Sequence, residues 1–198
     1  MELNTAIKSR RSVRKFKSKK PDWRKIIECI DSVRFAPMAG DNFSVRIILV
    51  DDKEKIEKIA KAAQQDFILQ ANYIIVVCSY PHRTLNAYGK RGERYSRQQA
   101  GAAIQNLLLR LEEEGLSTCW VGHFVDEQIK SELKIPEDVD LEAILPIGYG
   151  IKKPTKEKAR IELDNILYFN VYKNKRMTEE KKIEGRWPGP FREEKREN

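Results

Sequence analysis

Short runs of β-branched and other apolar residues recur along the chain, each with the length and composition typical of a β-strand. Four of them are VRIILVDD (45–52), YIIVVCSY (73–80), STCWVGHF (117–124) and LEAILPIGYG (141–150). A fifth, NILYFNVY (165–172), has the same character. Val, Ile, Tyr and Phe are enriched in strands because they pack well on a pleated surface. The pattern therefore predicts five strands.

Between these runs, apolar residues recur at helical spacing. Within residues 21–37, Asp22 is placed to cap a helix and Pro37 to stop it. The longest helical pattern extends from about Arg94 to Gly115 and contains the small-residue stretch AGAA. Small residues let another backbone approach closely. The pattern therefore predicts a helix at the centre of the fold or in a subunit interface.

Two shorter helices complete the predicted elements. A Lys/Glu/Ala-rich helix starts near Lys53, and another starts at Asp126. Strands and helices are interspersed without a strict βαβ order, which favours an α+β or mixed α/β sandwich. The 198 residues, 40% of them hydrophobic, suffice for one sizeable core. We expect one domain over residues 1–172 and a charged C-terminal extension over residues 173–198.

The charge is distributed unevenly along the chain. The net charge is +8, with +8 in residues 1–25 and +5 in residues 152–198, so the part between them carries −5. Clustered Lys and Arg suit a nucleic-acid backbone, but they also suit a small-molecule site at which two distant segments meet one phosphate. The high content of Lys, Glu, Arg and Ile is compatible with a thermophilic source.

The three cysteines do not indicate a disulfide framework or a zinc site. Cys29, Cys78 and Cys119 are widely spaced and form no CxxC pair. Buried free thiols in a reducing compartment are expected. No apolar run reaches the length of a membrane helix and no signal peptide is recognisable, so we expect a soluble, cytoplasmic protein.

Two basic segments at opposite ends of the chain are candidates for binding one anion. SRRSVRKF (9–16) holds four positive charges, and KEKAR sets Lys158 and Arg160 two residues apart. In an extended segment, side chains two apart point to the same side. Guanidinium and ammonium groups suit a phosphate, whose oxygens accept hydrogen bonds from several directions. The alternative is a solvated helix end followed by a basic loop.

Four motifs carry a resemblance to a known family. In chain order they are RRSVRKF, FAPMAGDNFSVRIILV, QQAGAAIQNLLLRLEEEGLSTCWVGHF, and ILPIGYGIKKP followed by KAR. Their order and spacing over residues 3–172 resemble those of the nitroreductase-like FMN-dependent oxidoreductases. The resemblance implies an α+β, three-layer sandwich with a central, mostly antiparallel or mixed sheet. It also implies a homodimer with FMN between the subunits and a C-terminal segment reaching over the partner.

The resemblance implies an N-terminal part of the FMN site that comprises Arg10, Arg11, Ser12 and Arg14. Arg10 and Ser12 would lie near the phosphate and ribityl chain, and Arg14 near the N1/O2 edge of the ring. Lys158 and Arg160 match the family's K-x-R pair and would meet the same phosphate.

PMAGDN looks like the family's P-S-A-x-N loop, whose backbone passes over the flavin ring. The residues it assigns to the cofactor are Pro37, Met38, Ala39, Asp41 and Asn42. Met38 replaces the usual Ser, and Asp41 stands where Asn is expected. A carboxylate only accepts hydrogen bonds, whereas an amide also donates them. The ring contact therefore falls either to Asp41 or to Asn42, one place on.

TCWVGHF is similar to the strand and turn that direct a backbone N–H at flavin N5 in the family. Val121 and Gly122 are the residues concerned. Gly122 permits close approach because it has no side chain, although a strand bulge would also favour glycine. No catalytic side chain is implied, since flavin N5 carries the hydride. With only two histidines, His82 and His123, no metal site is expected.

The function implied is an FMN-dependent oxidoreductase that passes a hydride from NAD(P)H through flavin N5 to a flat acceptor. Nitroaromatics, quinones and free flavins are candidate acceptors. One alternative is a specialised member of the family with a single metabolic substrate, in dehalogenation or flavin-related chemistry. Another is a basic nucleic-acid-binding protein, which the acidic centre and the lack of aromatics within RRSVRK disfavour.

Overall fold

A four-stranded antiparallel sheet lies between two layers of helices. The computed structural model describes residues 1–151 and 161–177. Within these residues the strands are β1 (Val45–Val50), β2 (Tyr73–Ser79), β3 (Ser117–Thr118) and β4 (Asp140–Gly148). The helices are α1 (Leu3–Ser9), α2 (Trp23–Asp31), α3 (Lys53–Ala62), α4 (His82–Tyr88), α5 (Arg91–Glu113), α6 (Asp126–Leu133) and α7 (Leu163–Ile166).

The strand order in the sheet is β1-β2-β4-β3, and every neighbouring pair is antiparallel. Ile75 of β2 pairs with Leu49 on one side and with Leu145 on the other. Every residue of β2 is buried. A strand covered by helices on both faces has no polar side, which explains its continuous apolar sequence.

Each face of the sheet has its own hydrophobic core. On one face, α2 and α5 pack on side chains of the sheet through Ile26, Cys29, Ala103, Ile104, Leu107 and Leu111. On the other face, the side chains of α3 and α6, including Ile56, Ile59 and Ile129, pack on Ile74, Val76 and Ile144. Adjacent residues of β2 contribute to opposite cores because successive side chains point to opposite faces. The predicted three-layer α+β architecture is confirmed.

Local capping explains where two of the helices begin. The Asp22 side chain accepts a hydrogen bond from the Arg24 N–H, which confirms the predicted start of α2. Asp52 caps α3 in the same way. An N-cap carboxylate satisfies N–H groups that lack intrahelical partners. The α2 segment continues as a 3₁₀ turn over Ser32–Phe35 before Pro37.

The long helix α5 occupies the centre of one layer, as its small residues predict. Ala100 and Ala103 are buried against the sheet. The helix ends at Glu113, and Gly115 follows with φ +71°, a left-handed conformation that glycine adopts without strain.

Two predicted strands differ from the structure, and two helices of the structure were not predicted. The predicted strand over residues 165–172 is wrong, because α7 occupies Leu163–Ile166 and the residues after it form bends and a turn. Side chains there, such as Tyr172, are exposed, and no ladder partner lies among the described residues. The run 117–124 forms only the two-residue β3. Helices α1 and α4 were not predicted, because each has seven residues and one buried side chain.

The chain divides into two compact units, Met1–Glu157 and Lys158–Asn198. Lys158 and Arg160 lie outside the described residues. The predicted division after residue 172 stays a prediction. No helix within residues 1–151 and 161–177 is long and apolar enough to cross a membrane.

Candidate functional site

The basic N-terminal segment runs along the edge of the sheet formed by β3 and the end of β4. The Val13 N–H donates to the Thr118 carbonyl at 2.9 Å, and the Lys17 N–H donates to the Tyr149 carbonyl at 2.7 Å. The side chains of Val13 and Phe16 are buried, whereas Arg14 is exposed. Burial of these two apolar residues fixes the segment, and with it the positions of its charged side chains.

Charges of one sign are concentrated in this segment. Arg10 is half-buried and Arg14 is exposed, and neither forms an ion pair within the described part of the chain. The Arg14 guanidinium carbon lies 5.8 Å from the ring centroid of Phe67. Cation–π attraction orients a guanidinium over a ring without neutralising it. Phe67 was not among the predicted site residues, because its role depends on a contact across 53 positions of sequence.

Arg11 uses its guanidinium differently. Its Nη1 donates to the carbonyls of Lys8 at 2.6 Å and Arg10 at 3.0 Å, at the C-terminal end of α1. These carbonyls lack intrahelical partners, and a cation is favourable at that end of the helix dipole. The Arg11 side chain therefore holds the end of α1, and its predicted contact with FMN stays a prediction.

The turn after β3 carries the predicted N5 contact. Val121 exchanges two backbone hydrogen bonds with Ile144, at 3.0 and 2.9 Å, which ties the turn to the centre of β4. Gly122 is exposed, and a Cβ placed there would meet only Trp120 Nε1, at 3.8 Å. No packing contact within residues 1–151 and 161–177 requires a glycine here. The turn is therefore accessible to an approaching flat group.

The Pro37–Asn42 loop is held in a specific shape by two residues with positive φ. Gly40 has φ +53° and Asp41 has φ +56°. A Cβ on Gly40 would lie 2.5 Å from the Tyr88 hydroxyl oxygen of α4, and this contact and the positive φ both favour glycine at this position. The Asn42 side-chain amide donates to the Gly40 carbonyl at 2.9 Å. That amide stabilises the loop, whereas Asp41 is exposed.

Gln99 of α5 anchors the end of this loop. Its Oε1 accepts from the Ser44 N–H at 2.6 Å and from the Ser44 hydroxyl at 2.7 Å. Both side chains are buried. Sequence reasoning missed Gln99, although a glutamine beside the buried AGAA stretch is the signal that identifies it. A depression of about 220 Å³ lies between loop and helix, lined by Pro37, Met38, Ala39, Tyr95, Gln98 and Gln99.

The predicted site residues fall into two groups in one chain. The 10–14 segment is bonded through Val13 to β3, whose following turn carries Val121 and Gly122. The Pro37–Asn42 loop is held by α4 and α5 instead. No hydrogen bond among the residues that the structure describes joins the loop to the other group.

An apolar groove lies on a third part of the surface, between α1 and α5. It has a volume of about 380 Å³ and is lined by Met1, Leu3, Ala6, Ser32, Phe35, Asn106, Leu109, Arg110 and Glu113. Leu3 is 65% exposed and Phe35 is 72% exposed. Large apolar side chains in one exposed groove are typical of a surface that another molecule covers.

The 10–14 segment and the turn with Val121 and Gly122 together have the chemistry that FMN requires. The cofactor joins a phosphate to a flat ring, so its site needs fixed cations or hydroxyls and a surface without projecting side chains. Arg10, Ser12 and Arg14 could supply the cations and the hydroxyl, and the exposed backbone at Gly122 could supply the open surface. Within the described ranges, no three His, Cys, Asp or Glu side chains are grouped as metal ligands.

Comparison with known proteins agrees with this architecture. The Nitroreductase family profile matches residues 7–149. A protein provisionally named a nitroreductase in Methanocaldococcus jannaschii is 36% identical over 107 residues, which is 54% of this chain and about half, 53%, of that protein. One provisionally named NADH dehydrogenase/NAD(P)H nitroreductase, in Methanothermobacter thermautotrophicus, is 28% identical over 78% of this chain and 80% of its own.

Two further proteins extend the comparison. A protein named iodotyrosine deiodinase, in Thermotoga neapolitana, is 24% identical over 72% of this chain and 85% of its own. The crystal structure of a nitroreductase family protein from Clostridium novyi is 26% identical, with a TM-score of 0.70. The superposition covers 88% of this chain and 96% of that structure.

Fold and comparisons together define an oxidoreductase with a three-layer α+β architecture. The chain belongs to the nitroreductase family, whose profile covers the segment from α1 to the end of β4. The resemblance seen in the four motifs is thereby confirmed.

Proposed function

We propose that this protein is an FMN-dependent oxidoreductase that uses NAD(P)H to reduce a flat electron acceptor. The observation that carries the proposal is that the segment with Arg10, Ser12 and Arg14 is hydrogen-bonded to β3, and the turn that follows β3 carries the open Gly122. Arg10 and Arg14 form no ion pair among the described residues, so both cations are available to bind an anion. A flavin phosphate would supply that anion.

In this proposal each group of the N-terminal segment has a distinct role. Arg10 and Ser12 bind the phosphate and ribityl chain. Lys158 and Arg160, which lie outside the described residues, would add cations from the other end of the chain. Arg14 places its positive charge at the N1/O2 edge of the ring, where negative charge increases on reduction. A cation there stabilises the reduced form and so raises the reduction potential.

The Gly122 backbone orients the ring in the same proposal. The Val121 N–H is bonded to Ile144, but the Gly122 N–H has no hydrogen-bond partner within the described ranges. The Gly122 N–H is therefore available to donate to flavin N5. Because it has no side chain, the ring can approach until a hydrogen bond forms. No side-chain acid or base is needed.

When bound, FMN supplies the redox chemistry, accepting a hydride equivalent from the dihydronicotinamide and passing electrons to the acceptor. The protein supplies binding, orientation and charge. A surface with few projecting side chains accepts many flat molecules, so we propose nitroaromatics, quinones and free flavins as acceptors.

We further propose that the active form is a homodimer. Among the residues that the structure describes, no hydrogen bond joins the Pro37–Asn42 loop to the 10–14 and 121–122 group, and we propose that the two groups meet across subunits. The groove containing Leu3 and Phe35 offers an apolar contact surface for a second copy. In this arrangement a segment near the C-terminus reaches over the partner.

The purified protein tests the proposal directly. Its absorption spectrum should show flavin bands, or the apoprotein should bind added FMN and quench its fluorescence. NADH or NADPH under anaerobic conditions should bleach the bands, and a quinone should restore them. A colourless protein that binds no FMN, or a flavoprotein that neither donor reduces, would contradict it. Gel filtration tests the dimer, and a strict monomer would overturn that part.

A second candidate is reductive dehalogenation of one metabolic substrate, and the relative named iodotyrosine deiodinase supports it. The test is halide release from a halogenated aromatic substrate by the reduced protein. Turnover of halogenated substrates in preference to quinones and nitroaromatics would favour it over the broad reductase. Salt-dependent nucleic-acid binding by a colourless protein would instead favour the nucleic-acid alternative.

A further inference from the structure

The first two turns of α5 carry a set of cations that the proposed flavin site does not use. Lys90 precedes the helix, and Arg94 and Arg97 follow on it. With Glu93 and Gln98 they line a depression of about 490 Å³, which we call the α5 basin. Residues three and four apart on a helix lie on one face, so these side chains share one surface.

The cations of the α5 basin have no carboxylate partners within the described ranges. Elsewhere on the surface, Arg110 pairs with Glu113 and Glu114, and Lys58 pairs with Glu132. Among the residues that the structure describes, Lys90, Arg94 and Arg97 form no ion pair, and neither does Glu93. The lining therefore has a net charge of +2. No side chain caps the helix here, so the dipole of the 23-residue α5 adds positive potential.

The α5 basin adjoins the loop that is proposed to cover the flavin. Gln98 lines both the basin and the depression beside Pro37, Met38 and Ala39. A molecule lying over the loop could therefore extend an anionic group into the basin. Guanidinium forks match phosphate oxygens in geometry as well as in charge.

We propose that the α5 basin binds phosphate groups of the nicotinamide dinucleotide that reduces the flavin. This inference rests on the proposed function, which supplies a phosphate-bearing donor. Both donors carry a pyrophosphate, and NADPH carries an additional 2′-phosphate. If the basin binds the 2′-phosphate, it selects NADPH over NADH. If it binds the pyrophosphate, it serves both donors equally.

The test is the double charge reversal Arg94→Glu/Arg97→Glu in the FMN-loaded protein. The matched control is Lys61→Glu/Lys134→Glu, which changes two exposed lysines on α3 and after α6 by the same total charge. Steady-state rates are measured with NADPH, NADH and 1-benzyl-1,4-dihydronicotinamide, a donor without phosphate. Both variants should retain FMN.

We expect KM for NADPH to rise at least tenfold in the basin variant, with kcat unchanged and with no change for the phosphate-free donor. If KM rises for NADPH alone, the basin binds the 2′-phosphate. If KM rises equally for NADH, the basin binds the pyrophosphate. Unchanged KM values, a similar effect on the phosphate-free donor, or the same rise in the control would overturn the proposal.

Direct binding measurements show whether the α5 basin binds phosphate even if the proposed oxidoreductase function is wrong. Calorimetry with 2′,5′-ADP and with pyrophosphate needs neither flavin nor turnover. If the protein proves to oxidise no dihydronicotinamide, binding of either probe that is lost in the basin variant and kept in the control still supports the basin as a phosphate site. Absence of binding of both probes in the unaltered protein would then overturn it.

Discussion

Gln99 accepts two hydrogen bonds from Ser44, one from its N–H at 2.6 Å and one from its hydroxyl at 2.7 Å. One buried side chain thus fixes the point at which the Pro37–Asn42 loop enters β1. The Gln99 amide also lies 3.5 Å from the Asn42 carbonyl. The shape of the loop therefore depends on helix α5, which is more than 50 residues away in sequence.

Replacement of Gln99 by methionine should destabilise the protein. The side chain keeps its approximate volume, but the Ser44 N–H and hydroxyl lose their acceptor in a buried position. Unsatisfied buried donors cost about 1–3 kcal/mol each, so with two donors we expect the free energy of unfolding to fall by about 2–6 kcal/mol. Denaturant unfolding measures it.

The neighbouring exposed residue provides the control for Gln99. Gln98→Met should change the free energy of unfolding by less than about 0.5 kcal/mol, as is usual for surface substitutions. In the double variant Gln99→Met/Ser44→Ala the loss should be smaller than the sum of the single losses, because the hydroxyl is then absent. Additive losses would show that the two side chains are not coupled.

Arg10→Ala should weaken FMN binding under the proposed function. A hydrogen bond to a charged group contributes about 1.5–3 kcal/mol, which corresponds to about a 10- to 150-fold rise in Kd. Fluorescence titration of the apoprotein with FMN measures the change. Lys15→Ala removes the same charge from an exposed side chain of the same segment and should have a much smaller effect. Equal losses in both variants would indicate nonspecific attraction.

Gly122→Ala and Gly148→Ala should have opposite consequences. A Cβ at Gly122 would meet nothing closer than 3.8 Å, so stability should be unchanged while FMN affinity falls. A Cβ at Gly148 would lie 2.9 Å from Cδ1 of the buried Phe16. Overpacking of this kind typically costs about 1–3 kcal/mol. Thermal unfolding and FMN titration of both variants separate the two roles, and normal FMN affinity in Gly122→Ala would contradict the proposed N5 contact.

The cysteines should be unreactive in the folded protein. Burial raises the pKa of the Cys29 thiol to about 12 and that of Cys78 to about 11, and Cys119 is also buried. Since the thiolate is the reactive form, iodoacetamide at pH 8 should label none of the three until the protein unfolds. Mass spectrometry with and without denaturant measures labelling. Rapid labelling of a native thiol would contradict the packing described.

The same pKa values predict a loss of stability at alkaline pH. Between the ordinary thiol pKa of 9.0 and the raised values, the folded state keeps protons that the unfolded state releases. The free energy of unfolding should therefore fall as the pH rises above 9. Cys29→Ala should lessen that slope, and an unchanged slope would exclude Cys29 as its cause.

Much of the fold could be predicted from local patterns. Strands β1, β2 and β4 are rich in apolar residues, and α2 and α3 begin after carboxylates that cap them. These signals are strong because burial and capping act on residues near one another in sequence. The motif order likewise predicted the family and the candidate residues of its site.

Long-range contacts decided the parts of the fold and of the candidate site that local patterns could not predict. The run 165–172 has strand composition, but a strand also needs a partner to satisfy its backbone, and the described chain provides none. Val13 and Phe16 place the basic segment on the sheet edge only because Thr118 and Tyr149 are there to accept its hydrogen bonds.

The sequence by itself determined strands β1, β2 and β4, helices α2, α3, α5 and α6, the N-cap of α2 and the uneven distribution of charge. Only the tertiary structure decided that Arg11 holds the end of α1, that Gln99 fixes the loop through Ser44, and that Arg94 and Arg97 share a surface adjoining that loop. The physical reason is that local patterns depend on neighbouring residues, whereas the partner of a buried or charged group is set by how distant segments pack.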